Sequence, residues 1–385
     1  MTLSAVTPER ASRVARPSRR ALLAGTAAAT GLLAAPVTAH ASTNDPFDAS
    51  NYHSCHGLDF VDGFPVPIPD WRSVDFRVNT EKVQTFPPSF RVTLPTSYRD
   101  SPDRNYPVLL LLHGRGGNFT QWTQGETGEG SGNGGDVISR TADQDVIVVM
   151  PDGGAGSFYS NAYHAAPGRR ADWETFLIDQ VLPFVHENFR TDPSRMAVAG
   201  DSMGGWGALS LGQKYQDLFR SISAYSGLAD CRPDTLDGGL FSLVIWIGPA
   251  LEAKRYPFTA NGPGSIWGND LDPDIASTYN PIENLERYRG KRLFLRNGDG
   301  NWIDFAEALK GHGDLYEQLR DKQKTIGQDV VEGDVSPNLE RFADALTDAG
   351  IEHDHKMLKG RTHEFGLWQE NFAEDLPGIM KALEA

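Results

Sequence analysis

Arg195-Met196-Ala197-Val198-Ala199 runs directly into Gly200-Asp201-Ser202-Met203-Gly204, and Gly205-Trp206-Gly207-Ala208-Leu209-Ser210-Leu211 follows. An apolar strand, a Gly-x-Ser-x-Gly turn and a helix in this order are typical of a nucleophile elbow, where a strained turn exposes a serine hydroxyl above a sheet. Glycines are needed two residues before and after the serine because side chains there would collide across so tight a turn. The stretch therefore predicts that Ser202 is a catalytic nucleophile, rather than a buried serine in a glycine-rich turn.

Other apolar runs predict the rest of the sheet. Residues 107–112 and 146–150 are apolar throughout, which is typical of strands buried on both faces. Similar segments at 220–225 and 292–296 are separated by helical patterns, of which residues 173–189 form the clearest. Strands that alternate with helices predict an α/β fold, with a mainly parallel central sheet flanked by helices on both faces.

The first 41 residues have the pattern of a cleavable export signal. Five arginines precede an Ala/Leu-rich run at 21–35, and Ala39-His40-Ala41 provides the cleavage pattern. The run is too short and too rich in alanine for a good membrane span. Ser18-Arg19-Arg20-Ala21-Leu22-Leu23 resembles a twin-arginine signal, so we expect a secreted bacterial protein. Residues 42–89, rich in Pro, Gly, Asp and His, predict an extended N-terminal arm, and residues 90–385 the catalytic domain.

Charge and composition exclude several classes of partner. The chain has a net charge of −15, which becomes −19 without the five arginines and Glu9 of the first 41 residues. Such an acidic protein is unsuited to nucleic acid or to stable contact with an anionic membrane. The glycine-rich stretch 124–135 lacks the Gly-Lys-Ser/Thr of a phosphate loop and predicts a mobile surface loop.

Cys55 and Cys231 are the two cysteines of the chain. In an exported protein disulfides persist, so a bridge between them would tie the N-terminal arm to the body. Two unpaired buried thiols remain the alternative, because sequence does not show whether the two residues meet.

A serine hydroxyl needs a base, and in α/β-hydrolases the chain order is serine, acid, histidine. His363 follows a strand-like run at 353–358 and precedes the terminal helix, so it is the predicted base. His353 and His355 share one face of that strand, but no third ligand follows at a suitable spacing, and we expect no metal there. Asp270, Asp272 and Asp274 lack the glycine and terminal glutamate of a calcium loop.

Three carboxylates are candidates for the acid. Asp299 ends a predicted strand, and Asp304 follows closely. Glu332 precedes a predicted helix that has Ser336 as its N-cap, Pro337 in its first turn and Gly350 past its end. Spacing alone does not decide among the three.

An oxyanion hole requires two backbone N–H groups directed at the developing negative charge. Met203, the residue after the nucleophile, is one predicted donor, and the loop after an early strand supplies the other. The loop His113-Gly114-Arg115-Gly116-Gly117 fits this position. His113 itself is predicted to be structural, because it precedes the serine in the chain.

Several motifs occur in the order found in one known family. They are Ser157-Phe158-Tyr159-Ser160, Trp173-Glu174-Thr175-Phe176-Leu177, Ile266-Trp267-Gly268 and Gly360-Arg361-Thr362-His363. From about Tyr106 onward the chain resembles the "Putative esterase" family of α/β-hydrolases, which includes secreted mycolyltransferases of the antigen 85 type, S-formylglutathione hydrolases and feruloyl esterases. The resemblance implies an α/β-hydrolase fold, Glu332 as the acid and Arg115 as the second oxyanion donor.

We therefore expect a secreted serine esterase that hydrolyses small-molecule or glycan-linked carboxylic esters through an acyl-enzyme on Ser202, without cofactor or metal. A mycolyltransferase-type acyltransferase is the first alternative. In that group the oxyanion loop has Asp-Gly-Leu-Arg where this chain has His113-Gly114-Arg115-Gly116. Two residues past the catalytic histidine the group has tryptophan, whereas this chain has Phe365. Both differences favour hydrolysis over transfer. A non-catalytic secreted binding or adhesion protein is the second alternative, because some members of the family have that role.

Overall fold

The two predicted apolar runs, at 107–112 and 146–150, both form strands. A computed structural model describes residues 45–129, 134–163, 168–232, 266–267, 273–300 and 315–384. The strands are β1 Asp59–Phe60, β2 Val66–Ile68, β3 Ser73–Asn79, β4 Ser89–Thr93, β5 Tyr106–Leu112, β6 Ile147–Pro151, β7 Thr191–Asp201, β8 Phe219–Tyr225, β9 Arg292–Gly298 and β10 Asp354–Leu358. The predicted signal at 1–41, Asp270, Asp272 and Asp304 lie outside the described residues.

The helices connect these strands. They are α1 Gln124–Thr127, α2 Val137–Arg140, α3 Trp173–Thr175, α4 Leu182–Asn188, α5 Met203–Lys214, α6 Pro273–Tyr279, α7 Leu315–Asp348 and α8 Phe365–Glu384. A π-helical segment, Phe176–Val181, joins α3 to α4. Within the described part of the chain, no helix has the length and apolar character needed to cross a membrane.

The sheet is mainly parallel, as predicted. Its strand order is β1-β3-β4-β6-β5-β7-β8-β9-β10, with β2 beside β3. The strands from β6 to β10 in this order run parallel, whereas β3 and β4 are antiparallel to their neighbours. Because the carboxyl ends of parallel strands meet at one edge, the segments after β5, β7, β8, β9 and β10 emerge together. This edge holds the candidate site.

Both faces of the sheet are buried, which explains the continuous apolar runs. In β5, Leu110 and Leu112 belong to one hydrophobic core, and Leu109 and Leu111 belong to the other. Helices α4, α5 and α7 cover the first core, and α8 covers the second. The predicted helices on both faces are confirmed.

The predicted boundary at residue 90 does not separate an arm from the body. Strand β3 pairs antiparallel with β4, and its Phe76 is fully buried and stacks on Phe90 at 4.9 Å between ring centroids. Val74, Phe76 and Val78 alternate with polar residues, which is itself a strand pattern, but the Pro, Gly, Asp and His content around them favoured an arm. Asp75 of this strand is buried. Arg91 donates two hydrogen bonds to that carboxylate, at 2.7 and 2.8 Å, and so compensates for its burial.

The predicted start of helix α7 is also wrong. The helix begins at Leu315, so Ser336 does not cap it and Pro337 lies inside it. The Ser336 hydroxyl instead accepts a hydrogen bond from Asn297 at 2.6 Å. A proline in a helix interior removes one backbone hydrogen bond, but fully buried Leu339 and Phe342 hold this segment against the core. Gly350, with φ +65°, ends the helix as predicted.

The two cysteines do not form the predicted disulfide. Both are free thiols, Cys231 buried and Cys55 half-buried. Asn188 donates a hydrogen bond to the Cys55 sulfur at 3.5 Å. The N-terminal segment, residues 45–89, is thus held to the rest of the fold by strand pairing and by contacts with α4, without a covalent bridge.

Candidate active site

Ser202 lies on a strained turn between β7 and α5. Its backbone has φ 52° and ψ −115°, a conformation that non-glycine residues rarely adopt. Its N–H donates to the Tyr225 carbonyl at 2.8 Å, which fixes the turn against β8. A Cβ at Gly200 would lie 2.5 Å from the Gly204 backbone, and one at Gly204 would lie 2.4 Å from the Leu112 carbonyl oxygen. Only glycine fits at these two positions.

The structure brings Ser202, His363 and Glu332 into one hydrogen-bonded series. His363 Nε2 lies 2.8 Å from Ser202 Oγ, and its Nδ1 lies 2.6 Å from Glu332 Oε2. The Glu332 side chain is fully buried, and that of His363 is 12% exposed. A carboxylate at Nδ1 fixes the tautomer in which Nε2 carries the lone pair. The arrangement can therefore remove a proton from the serine hydroxyl.

The second oxygen of Glu332 is also hydrogen-bonded. Glu332 Oε1 accepts from the Ser226 hydroxyl at 2.8 Å and from the Gly298 N–H. Trp368 Nε1 donates to Ser226 Oγ at 3.1 Å, and the Trp368 ring packs edge-on against the His363 ring. The sequence analysis missed Ser226 and Trp368. For Ser226 a signal existed, because it directly follows the strand next to that of Ser202.

The other candidate acids occupy different places. Asp299 Oδ1 accepts from the Gly360 N–H at 2.9 Å, so it supports the loop that carries His363. Both ring nitrogens of His363 are engaged by Glu332 and Ser202. Asp304 lies outside the described residues.

The loop after β5 lies against the elbow. A Cβ at Gly114 would be 3.4 Å from Ser202 Cβ, so this backbone borders the serine. Arg115 is the next residue, and its side chain is exposed. On the other side, Met203 opens α5, whose N-terminal N–H groups lack partners within the helix. The structure thus places the Gly114 backbone, which leads into Arg115, against Ser202, and Met203 directly after it.

His113 supports this loop from the interior. Its Nε2 accepts from the Gly153 N–H at 2.9 Å, so Nδ1–H donates to the Gly114 carbonyl at 2.7 Å. Burial lowers the pKa of His113 to about 4, which keeps the ring neutral. The Tyr159 hydroxyl donates to the His113 carbonyl at 2.8 Å. These contacts agree with the structural role expected for His113.

Asp201, between the strand and the serine, is fully buried. Desolvation raises the pKa of its carboxyl to about 8, against hydrogen bonds from Gln121 and the Gly114 backbone that lower it. The carboxyl is therefore mostly protonated at neutral pH. Sequence offered no signal for this, because the middle positions of the Gly-x-Ser-x-Gly motif are unspecified.

Aromatic residues from two of the sequence motifs pack together beside α5. Trp267 packs with tilted rings against Trp206 of α5 at 5.1 Å and against Phe158 at 5.8 Å between ring centroids. The strand histidines are used differently: His353 Nδ1 contacts the Ile351 carbonyl and His355 Nε2 contacts Asn297. Among the described residues, neither histidine belongs to a group of three metal-binding side chains.

Comparison with known proteins places this geometry in a family. A family model described as "Putative esterase" matches residues 86–379. Esterase Rv1288 of Mycobacterium tuberculosis is 34% identical over 334 residues, which cover 84% of this chain and 63% of that protein. The chain thus spans less than two thirds of that relative.

Two further proteins are similar over much of the chain. The diacylglycerol acyltransferase/mycolyltransferase Ag85A of Mycobacterium leprae is 38% identical over 248 residues, covering 62% of this chain and 66% of that protein. The structure of an S-formylglutathione hydrolase from Agrobacterium tumefaciens superposes with a TM-score of 0.54 at 16% identity, covering 86% of this chain and 98% of that one. The predicted α/β-hydrolase fold is confirmed.

Proposed function

The chain belongs to the "Putative esterase" family, and from this premise we propose that it is a serine esterase that hydrolyses carboxylic esters through an acyl-enzyme on Ser202. The observation that carries the proposal is the series Ser202–His363–Glu332, with hydrogen bonds of 2.8 and 2.6 Å, on a strained elbow. Its substrates are small-molecule or glycan-linked esters.

The mechanism follows from these contacts. Ser202 Oγ attacks the ester carbonyl while His363 Nε2 takes its proton, and the tetrahedral intermediate collapses when His363 protonates the leaving alcohol. Water then attacks the acyl-enzyme, again with His363 as base, and releases the acid. Glu332 holds the imidazole in the required tautomer and stabilises the imidazolium.

The backbone N–H groups of Met203 and Arg115 stabilise the oxyanion in both steps. Removal of one such donor typically costs about 3 kcal/mol of transition-state stabilisation. The Met203 N–H adds the partial positive charge of the α5 N-terminus. His113 and Tyr159 support the loop of Arg115 through hydrogen bonds with its backbone.

Acyl transfer is the second candidate function. It is favoured by the 38% identity to a diacylglycerol acyltransferase/mycolyltransferase. The same acyl-enzyme would then be attacked by an alcohol instead of water. The chemistry of Ser202, His363 and Glu332 is identical in the two cases, so the acceptor decides between them.

We also propose that the protein is exported. The basic region, the Ala/Leu-rich run and the Ala-x-Ala pattern of residues 1–41 support this, and the paired arginines Arg19 and Arg20 favour the twin-arginine route. Mass spectrometry of the protein recovered from culture medium tests it, with Ser42 expected as the first residue. A protein retained in the cytoplasm with its first 41 residues intact contradicts it.

A fluorophosphonate probe tests the serine mechanism. The intact protein is expected to form one covalent adduct, located on Ser202 by peptide mapping, and to hydrolyse short p-nitrophenyl esters. Ser202→Ala should abolish the adduct and lower kcat by several orders of magnitude. A folded protein that forms no adduct and shows no esterase activity would leave the non-catalytic binding function standing.

A further inference from the structure

A second cluster of reactive side chains lies where the N-terminal segment contacts helix α4. His53 Nε2 is 2.9 Å from Glu187 Oε1, and His56 Nε2 is 2.8 Å from Glu187 Oε2. The ligand atoms of His53, Cys55 and Glu187 all lie within 4.8 Å of one another. Imidazole, thiol and carboxylate are the three groups that bind zinc in proteins.

We propose that His53, Cys55 and Glu187 bind a Zn²⁺ ion, with a solvent molecule as the fourth ligand. Ligand atoms around a tetrahedral zinc ion are about 3.3–3.8 Å apart, so side-chain shifts of about 1 Å close the site. The combination of one sulfur, one nitrogen and one oxygen ligand favours Zn²⁺ over Mg²⁺ or Ca²⁺, which prefer oxygen ligands alone.

His56 has a separate role in this site. Zinc takes one oxygen of Glu187, and the other oxygen keeps its hydrogen bond to His56 Nε2. Carboxylates that bind metals are commonly oriented in this way by a neighbouring hydrogen-bonded group. His56 is therefore a positioning residue, and its loss should weaken zinc binding without removing it.

The backbone around the ligands is held in place by residues of the opposing helical segment. The Asn188 side chain accepts from the His53 N–H at 3.0 Å and donates to the Cys55 sulfur at 3.5 Å. Gln180 donates to the carbonyls of His56 and Gly57. Glu187 itself belongs to α4. A site whose backbone is ordered beforehand spends little binding free energy on folding a loop.

Ion pairing alone is a weaker explanation of this cluster. The side chains of His53, His56 and Glu187 are 58%, 35% and 42% exposed, and exposed ion pairs contribute little stability. An ion pair also makes no use of the thiol of Cys55. Zinc would join the N-terminal segment to α4, and no disulfide does so, because Cys55 is a free thiol. A metal that binds only the folded state stabilises the folded protein.

Cobalt spectroscopy on the full chain, free of any histidine tag, tests the proposal. Co²⁺ should bind in one equivalent and produce a sulfur-to-cobalt charge-transfer absorption, which Zn²⁺ then abolishes by displacement. Cys55→Ser should eliminate this absorption, whereas Cys231→Ser, which removes the other free thiol, should retain it. Absence of the absorption in the wild-type chain, or its loss in Cys231→Ser alone, overturns the proposal.

Affinity measurements assign the remaining residues. His53→Ala and Glu187→Gln should each weaken zinc binding by at least about 10-fold, and His56→Ala by about 10-fold. His353→Ala, which removes a histidine elsewhere in the fold, should leave the affinity for zinc unchanged.

Circular dichroism of each metal-free variant identifies any that fail to fold. The cobalt result on Cys55→Ser does not depend on those variants. Equal zinc affinities in wild type and the folded His53→Ala and Glu187→Gln variants overturn the assignment. These experiments measure metal binding alone, so a negative result would not contradict the proposed esterase function.

Discussion

A buried carboxylate costs free energy unless hydrogen bonds replace the water that it has lost. Glu332 meets this condition at both oxygens, with His363 on one and Ser226 and the Gly298 N–H on the other. Trp368 orients Ser226 and packs against His363. The acid and the base therefore share a common set of supporting contacts, which limits the movement of the imidazole.

We predict that Glu332→Gln lowers kcat by about 10³–10⁴-fold, because an amide at Nδ1 no longer stabilises the imidazolium and favours the wrong tautomer. Asp299→Asn, in which the carboxamide oxygen still accepts from the Gly360 N–H, should change kcat by less than about 10-fold. Steady-state kinetics on a p-nitrophenyl ester measure both. If Asp299→Asn lowered kcat strongly while Glu332→Gln left it nearly unchanged, the acid would be Asp299.

We predict that Asp201→Asn stabilises the protein increasingly as pH rises. The unfolded carboxyl ionises near pH 4, whereas the folded one, with a pKa of about 8, keeps its proton longer. Between pH 4 and pH 8 the folded wild type keeps a proton on Asp201 that the unfolded chain has lost. The stability of the wild type therefore falls as pH rises, whereas the asparagine side chain of the variant does not titrate. The difference in Tm between variant and wild type should grow from pH 4 to pH 8 and then level off.

Thermal melts across this pH range measure the effect. Asp62→Asn, which changes an exposed aspartate in the same way, is the control and should show no comparable trend. A difference in Tm that stays constant from pH 4 to pH 8 would mean that Asp201 is ionised in the folded protein.

At the scale of elements, the elbow depends on close contact between α5 and β5. A Cβ at Gly204 would lie 2.4–2.8 Å from backbone atoms of Leu112 and His113, which cannot move without displacing the strand end. Gly204→Ala should destabilise the protein by about 1–3 kcal/mol and lower Tm by several degrees. It should also lower activity, because the displaced backbone leads into the oxyanion loop.

Gly333→Ala is the matched comparison, since it is the same substitution in another helix. A Cβ at Gly333 meets no atom within 4 Å, so alanine should stabilise α7 by about 0.5–1 kcal/mol. Calorimetry of the two variants should therefore give shifts of opposite sign. A Tm for Gly204→Ala equal to that of wild type would contradict the close contact of α5 with β5.

The elements that sequence predicted best are those where one physical signal dominates. Strands β5 and β6 are almost wholly apolar because both faces are buried, so composition alone was sufficient. Strand β3 was missed although Val74, Phe76 and Val78 alternate with polar residues, because the Pro, Gly, Asp and His content of 42–89 was given more weight than this alternation. The start of α7 was misplaced because Ser336 and Pro337 have the pattern of a helix beginning, while packing extends the helix through them.

The same distinction applies to the candidate site. Ser202, His363 and the oxyanion loop follow local patterns that a single sequence displays. Ser226 and Trp368 act through hydrogen bonds to residues 106 and 142 positions away in the chain. The place of Ser226 directly after a strand was the one local signal, and no local pattern marks Trp368. The cluster of His53, Cys55 and Glu187 was missed for the same reason, because Glu187 lies far along the chain from the other two.

At the scale of the whole molecule, the acceptor of the acyl group decides between hydrolase and transferase. A transferase must hold its acceptor alcohol in attack geometry through specific polar contacts. Where mycolyltransferases have an aspartate in the oxyanion loop, this chain has His113, and both ring nitrogens are occupied inside the protein. Phe365, at the position of their tryptophan, packs between Trp122 and Trp368. The His113 ring is therefore not available to bind a sugar, and Phe365 lacks the N–H donor of a tryptophan.

We therefore predict that water outcompetes trehalose for the acyl-enzyme. The protein is incubated with a short p-nitrophenyl ester, with and without millimolar trehalose, and the products are separated by mass spectrometry. Free acid should account for most of the acyl group released, and the rate of p-nitrophenol release should be unchanged by the sugar. Ser202→Ala provides the background of uncatalysed hydrolysis. If acylated trehalose dominates over free acid, the acceptor site is built from other residues of the chain, and acyl transfer is its function.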